Sequence, residues 1–283
     1  MWKNSNVSVI ILTKNSSLTL DACLKSIVNQ EPGEIVAVDM LSTDNTVHIL
    51  RRYEASVLIN DGKSIGYSRG LGVKASLRPL VMFVDSDVVL GPGCIRTMVL
   101  ELAEHHWAGI NAKILSLQNE TYWQRAEDEN FVSFNKEGPK DHIGMAASLF
   151  RRDLLMKFPF DPTLEFACED IDLCKRLRND KHGVGVSTAI AYHLHRRDFG
   201  AFFKQRFRYG RGDAQLALKS GSIPIAFETT QDAVYQIIRS VFTLKFKFIP
   251  FWAVSGLAEG TGALLGLSSW YGDNSRSVAK SLH

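Results

Sequence analysis

The chain has 283 residues, 45% of them hydrophobic and 22% charged, with a formal net charge of +3. This composition suits one large globular domain, or one domain with an appendage, and argues against a disordered or fibrous chain. The small charge gives no sign of a nucleic-acid partner, and the four cysteines, with no C-x-x-C pair among them, fit reduced thiols in the cytoplasm rather than a disulfide framework.

Residues 7–12 (VSVIIL) are apolar and largely β-branched, which predicts a buried first strand. The run is too short for the apolar core of a signal peptide, in keeping with a cytoplasmic location. Thr13-Lys14-Asn15-Ser16-Ser17 breaks it, and Leu20, Cys23, Leu24 and Ile27 follow at helical spacing, with Ser17 or Thr19 as N-cap. Residues 34–39 predict a second strand ending on Asp39, residues 46–53 a helix and residues 56–60 a third strand. A loop over 61–66 leads into a helix carrying Arg69 and Lys74. Residues 80–84 (LVMFV) then run into Asp85-Ser86-Asp87, and Gly91-Pro92-Gly93 turns the chain. Strand and helix alternating at this pitch predict an α/β fold with a doubly wound, mostly parallel, Rossmann-like sheet.

Open α/β sheets bind ligands outside the carboxyl ends of their strands. Asp85 and Asp87, one residue apart at such an end, can converge on a single ion. Their hard oxygens suit Mg2+ or Mn2+, which keep open positions for substrate phosphate oxygens. Solvated acids at a strand end are the plainer alternative, and Asp39 alone reads equally as a turn former. The convergence of Thr13, Asn15, Asp39, Asp85 and Asp87 on one edge, beside a basic loop, favours a nucleotide pocket. No G-x-G-x-x-G follows the first strand and no G-x-x-x-x-G-K-[ST] occurs, which argues against a dinucleotide dehydrogenase and a P-loop enzyme.

Downstream, residues 118–141 are polar with Tyr122, Trp123 and Phe131, and Trp123 reads either as core or as part of an acceptor-side insertion. Residues 169–172 (EDID) fit the acidic first turn of a helix. Residues 183–190 predict a strand that leads to His193 and His195. From about residue 201 aromatic and basic residues interleave, and residues 248–270 are mostly apolar around Glu259. An interfacial or re-entrant helix, a membrane span and a soluble packed tail all fit this last stretch.

Taken together and in order, these segments resemble glycosyltransferase family 2, the inverting nucleotide-sugar enzymes of the GT-A fold. Residues 7–15, 35–46 and 63–75 resemble that family's nucleotide-binding segments, and Phe83-Val84-Asp85-Ser86-Asp87 its D-x-D. Residues 144–152 and 158–161 resemble the strand and loop before its acceptor motif, which Glu169-Asp170-Ile171-Asp172 resembles in turn. Gln205-Arg206-Phe207-Arg208-Tyr209 is similar to the Q-x-x-R-W of processive members, with Tyr209 for Trp. The sequence departs from the family at Lys14, where an aromatic is common, and at Met40 and Leu41, where Asp and Gly are common. The resemblance implies Asp170 as general base with Glu169 beside it; Asp172 reads as structural, a cap or partner of Arg176. It implies Thr13, Asn15, Asp39, Lys63, Arg69 and Asp85 at the nucleotide sugar. Asp85, Asp87 and His193 become metal ligands for Mn2+ or Mg2+, with His195 as the alternate histidine.

The expected organisation is a GT-A domain over residues 1–215, with the nucleotide sugar held by 1–115 and the acceptor by 116–215, and a helical segment over 216–283. The expected activity is metal-dependent, inverting transfer from a nucleoside-diphosphate sugar to a hydroxyl of a lipid-linked or saccharide acceptor. The expected setting is peripheral, at the cytoplasmic face of a membrane. The rival readings are an inactive sugar-nucleotide-binding module and a nucleotidyltransferase that releases pyrophosphate.

Overall fold

Strand β1 (Val7–Thr13) is buried along its whole length, and its side chains divide by parity. Val7, Val9 and Ile11 enter one apolar cluster, Ile10 and Leu12 another. β4 (Leu80–Asp85) repeats the pattern, with Leu80, Met82 and Val84 on the first side and Val81 and Phe83 on the second. Successive side chains point to opposite faces of a strand, so a continuous apolar run is what a sheet covered on both faces requires. The first face is covered by α1 (Leu20–Val28) through Leu20, Leu24 and Ile27, and by α4 (Cys94–Glu104) through Met98 and Leu102. The second is covered by α3 (Ile65–Ala75), α6 (Arg152–Lys157) and α7 (Glu169–Asn179), through Val73, Leu154 and Leu173.

The structure is a computed structural model that describes residues 3–61, 64–195 and 197–281. The remaining elements are β2 (Glu34–Asp39), α2 (Thr46–Arg52), β3 (Ser56–Ile59), β5 (Val88–Leu90), β6 (Gly109–Ser116), α5 (Tyr122–Phe134), β7 (Gly138–Lys140), β8 (Ala147–Arg151) and β9 (Val184–His193). Three long helices follow: α8 (Phe199–Ser220), α9 (Glu228–Phe242) and α10 (Ile249–Ser281). The nine strands form one sheet in the order β3-β2-β1-β4-β8-β6-β9-β5, with β7 paired to β9. β3, β2, β1 and β4 are mutually parallel. Beyond β4 the sheet is mixed: β8 runs antiparallel to both β4 and β6, β9 runs parallel to β6, and β5 and β7 run antiparallel to β9. The parallel sheet expected from strand–helix alternation therefore covers β3, β2, β1 and β4. The α/β class holds for the whole.

The chain forms two compact units. The first comprises Met1–Asn119, Glu127–Thr163 and Glu169–His195, and holds the sheet. The second comprises Glu120–Ala126, Leu164–Cys168 and Arg196–His283. The change of character expected at residue 215 lies inside α8, all of which belongs to the second unit.

In the second unit, Asp198 caps α8 by accepting from the Ala201 amide at 2.9 Å, and Gly221 ends it at φ +67°. α8 and α10 meet backbone to backbone. A Cβ on Gly262 would lie 2.2 Å from the Phe207 carbonyl oxygen, and one on Gly210 would lie 1.9 Å from that of Glu259. Glu259, the acid interrupting the apolar stretch, is buried and paired with Arg206 at 3.3 Å. Trp123 stacks on Phe202 with ring centroids 4.8 Å apart, which makes it a packing residue of this unit. Phe246–Ser269 is long and apolar enough to cross a membrane, by length and composition only.

Candidate functional site

β1 and β2 pair Thr13 with Asp39, and β1 and β4 pair Leu12 with Asp85, so three parallel strands end side by side. Asp39 is 1% exposed and accepts from Thr13 Oγ1 at 2.9 Å, the Ser42 amide at 2.8 Å and Ser42 Oγ at 2.6 Å. Thr13 and Asp39 thus hold one another and the following turn. Asn15, at φ 51°, accepts from the Thr43 amide at 2.8 Å, and the Asn15 amide donates to Ser42 Oγ at 2.8 Å. The loops after β1 and β2 are therefore one hydrogen-bonded rim. Ser16 joins it to the D-x-D through Ser86, with the hydroxyl oxygens 2.9 Å apart.

Beyond that rim stand Asp85, Asp87 and His193. Each offers one ligand atom, and these atoms lie within 4.8 Å of one another. β5 follows the D-x-D and pairs antiparallel with β9 so that Val88 faces His193, and the Leu194 amide donates to the Asp87 carbonyl at 3.0 Å. This long-range pairing brings the His193 imidazole Nε2 to 3.3 Å from Asp87 Oδ1. His193 Nδ1 lies 2.8 Å from His195 Nδ1, and His195 is buried and stacked on Phe131 at 5.2 Å. Burial, reinforced by His193, lowers the His195 pKa to about 4, so His195 is neutral at physiological pH. Its contact with His193 Nδ1 leaves the other ring nitrogen of His193, Nε2, facing Asp87. Of the two histidines, His193 is the one in the cluster. Two carboxylates and an imidazole at this spacing fit a hard to borderline divalent ion such as Mn2+ or Mg2+.

Arg69 connects this cluster to α7. Ser64 caps α3 by accepting from the Tyr67 amide at 3.1 Å, and one turn on, Arg69 lies 5% exposed. Its Nε donates to Glu169 Oε1 at 2.9 Å, its Nη2 lies 4.0 Å from Asp85 Oδ1, and the guanidinium covers Phe83 at 5.3 Å. Its Nη1 is buried and has no hydrogen-bond partner among the described residues. A buried cationic donor left unsatisfied is costly unless a ligand completes it. Glu169, 4% exposed, is thereby tied to Arg69. Asp170, the next residue, sits in the first turn of α7 with its Oδ1 accepting from the Ile171 amide at 2.9 Å. Burial, helped by the negative charge of Glu169, raises its pKa to about 7. Burial also raises Asp85, against the pull of Arg69. Asp172 accepts from Arg176 Nε at 2.8 Å, the pairing expected of it. Lys63 lies outside the described residues. The 100-residue separation of Arg69 and Glu169 hides their pairing from the sequence.

The profile of "Glycosyl transferase family 2" matches residues 8–158, just over half of the chain. Among curated proteins, the glycosyltransferase AglE of Haloferax volcanii is 23% identical over 228 residues, which are 74% of this chain and 73% of AglE. The poly(ribitol-phosphate) beta-N-acetylglucosaminyltransferase TarS of Staphylococcus aureus is 30% identical over 109 residues, 35% of this chain but only 19% of TarS. Among solved structures, glucosyl-3-phosphoglycerate synthase of Mycobacterium tuberculosis, in complex with Mn2+, UDP and glucosyl-3-phosphoglycerate, superposes with a TM-score of 0.55 at 17% identity. That superposition covers 76% of this chain and 80% of the synthase, and shows a shared fold. With the mixed α/β sheet and the ordered segments from β1 to α6 inside the profile, the chain belongs to glycosyl transferase family 2 and is a glycosyltransferase.

Proposed function

We propose that the protein is a metal-dependent, inverting transferase that moves a sugar from a nucleoside diphosphate to a hydroxyl of a lipid-linked or saccharide acceptor. One observation carries this reading. The Asp85–Asp87–His193 cluster, the unsatisfied Nη1 of Arg69 and the high-pKa carboxyl of Asp170 are joined through one buried ion pair. Asp85, Asp87 and His193 would hold Mn2+ or Mg2+, which when bound supplies positive charge beside the leaving diphosphate. Arg69 adds fixed charge on the same side, in a recess where it costs no reorganisation. Asp170 takes the proton of the acceptor hydroxyl as that oxygen bonds to the anomeric carbon. The bond from that carbon to the diphosphate oxygen breaks, and nucleoside diphosphate leaves. A carboxyl of pKa about 7 suits that base near neutral pH. Glu169 is engaged by Arg69 and is not offered as a covalent nucleophile, so one displacement occurs and the anomeric configuration inverts. Thr13, Asn15 and Asp39 shape the nucleotide rim, with Lys63 as a further diphosphate contact. The Mn2+ and UDP of the structurally similar synthase support this choice of donor and ion. The aromatic and basic helical unit supports peripheral attachment at the cytoplasmic face of a membrane.

The test is incubation with nucleotide sugars and candidate acceptors, with and without Mn2+, followed by product analysis and NMR of the new linkage. Metal-dependent release of nucleoside diphosphate with an inverted product is expected. Pyrophosphate release would identify a nucleotidyltransferase. Donor binding without turnover by any acceptor would favour a binding module.

A further inference from the structure

α9 presents its apolar side outward. On a helical wheel of about 100° per residue, Val241, Val234, Ile238, Phe242 and Tyr235 fall in succession within an arc of about 120°. All five are exposed, whereas Ala233 and Ser240 on the opposite side are buried within the second unit. The stripe continues past the helix end. Phe242, Leu244 and Phe246 are 82%, 76% and 53% exposed and alternate with Lys245 and Lys247. A soluble monomer rarely leaves so continuous an apolar surface uncovered, and such surfaces mark docking sites.

The chain builds this tip at a cost. The Lys245 amide donates to the Ser240 carbonyl at 2.8 Å, and the Leu244 amide to the Val241 carbonyl at 3.2 Å. That pair of bonds is the Schellman arrangement, whose left-handed position normally belongs to glycine. Leu244 occupies it at φ 56°. The backbone is thus held in a conformation unfavourable for leucine, with that leucine's side chain in solvent.

Charge selects the occupant. Residues 196–283 contain 12 Lys and Arg against six Asp and Glu, a net charge of +6, although the whole chain carries only +3. Arg239, Lys245 and Lys247 border the tip, and between Thr243 and Ser269 the sole acid, Glu259, is buried on Arg206. Apolar side chains interleaved with cations match a bilayer interface, where acyl chains lie beneath anionic headgroups. Two copies meeting through this tip would bring like charges together. We infer that the outward side of α9 and the 242–247 tip form the surface by which the protein docks on an anionic phospholipid bilayer. The inference rests on the reading that the helical unit meets a membrane.

The test is flotation of the full chain with phosphatidylcholine vesicles, with and without 30 mol% (about a third) phosphatidylglycerol. Wild type should float with the anionic vesicles. Lys245→Gln with Lys247→Gln should weaken that binding about 25-fold, roughly fivefold per lysine. Leu244→Gly should weaken it while raising the melting temperature, because glycine relieves the strain, and Phe242→Ser with Phe246→Ser should abolish it. A wild type that does not float would overturn the membrane reading itself. A wild type that floats while all three variants float equally well would overturn only the assignment of the docking face. A solution dimer that Leu244→Gly converts to monomer would instead make the tip an interface between copies.

Discussion

Asp170→Asn should make the enzyme slower and the fold more stable at once. In the folded chain the Asp170 carboxyl is raised from 3.8 to about 7, chiefly by burial and then by Glu169. A carboxyl so raised favours its neutral form. The cost of folding around it is absent below about pH 4, grows as pH rises, and is complete above about pH 7. A shift of that size corresponds to roughly 4 kcal/mol. Asp170 is only half-buried and adjoins Glu169, so the expected gain from an uncharged isostere is about 2–3 kcal/mol at pH 8 and none at pH 4. Loss of the base should lower transfer by about 10²–10⁴-fold, or roughly 3–5 kcal/mol in the barrier. In wild type, kcat/KM should fall about tenfold per pH unit below pH 7, and the variant should lack that limb. Transfer rates from pH 5 to 9, with urea melts at pH 4, 6 and 8, measure both effects. A variant within a few-fold of wild-type turnover, or one whose stability difference ignores pH, would refute this role for Asp170.

Three further outcomes follow from packing. Arg69→Met leaves Glu169 buried without its partner and should cost about 3–5 kcal/mol in urea melts, whereas Arg69→Met with Glu169→Gln should recover more than half of that. Asp172→Asn weakens an i, i+4 pair whose carboxylate is buried and whose Arg176 is partly exposed, so melts should show a loss of about 1–3 kcal/mol while turnover should hardly move. Gly262→Ala places a Cβ 2.2 Å from one α8 backbone atom and 3.1 Å from another, and should lower stability by at least about 1–3 kcal/mol, read as a fall in melting temperature.

Strands β1 and β4 were legible because they are buried on both faces, and such strands read as unbroken apolar runs. Residues 7–12 and 80–84 showed this plainly. Strand direction leaves no such mark. β8 (ASLFR) is apolar and buried much as β4 is, yet it runs antiparallel between β4 and β6. Asp85 and Asp87 stood out through their position after a buried strand. His193 was found by resemblance alone, because only the β5–β9 pairing carries it to Asp87. Asp39 was legible as a strand-end acid, but not as one already satisfied by Thr13 and Ser42, since that depends on which loop lies beside it. The boundary near residue 215 was placed by composition. α8 keeps helical spacing through that point, and its glycines pack on α10, a contact no local pattern announces.

The central claim is that Asp85, Asp87 and His193 hold a divalent ion that in turn helps hold a nucleoside diphosphate. Calorimetric titration of nucleoside diphosphates into the full chain, with and without Mn2+, tests it most directly when repeated on Asp87→Ala. The account predicts that Mn2+ strengthens binding to wild type by at least about tenfold, and that Asp87→Ala removes this dependence while the circular dichroism spectrum stays unchanged. Equal metal-dependent affinity in wild type and Asp87→Ala would contradict it.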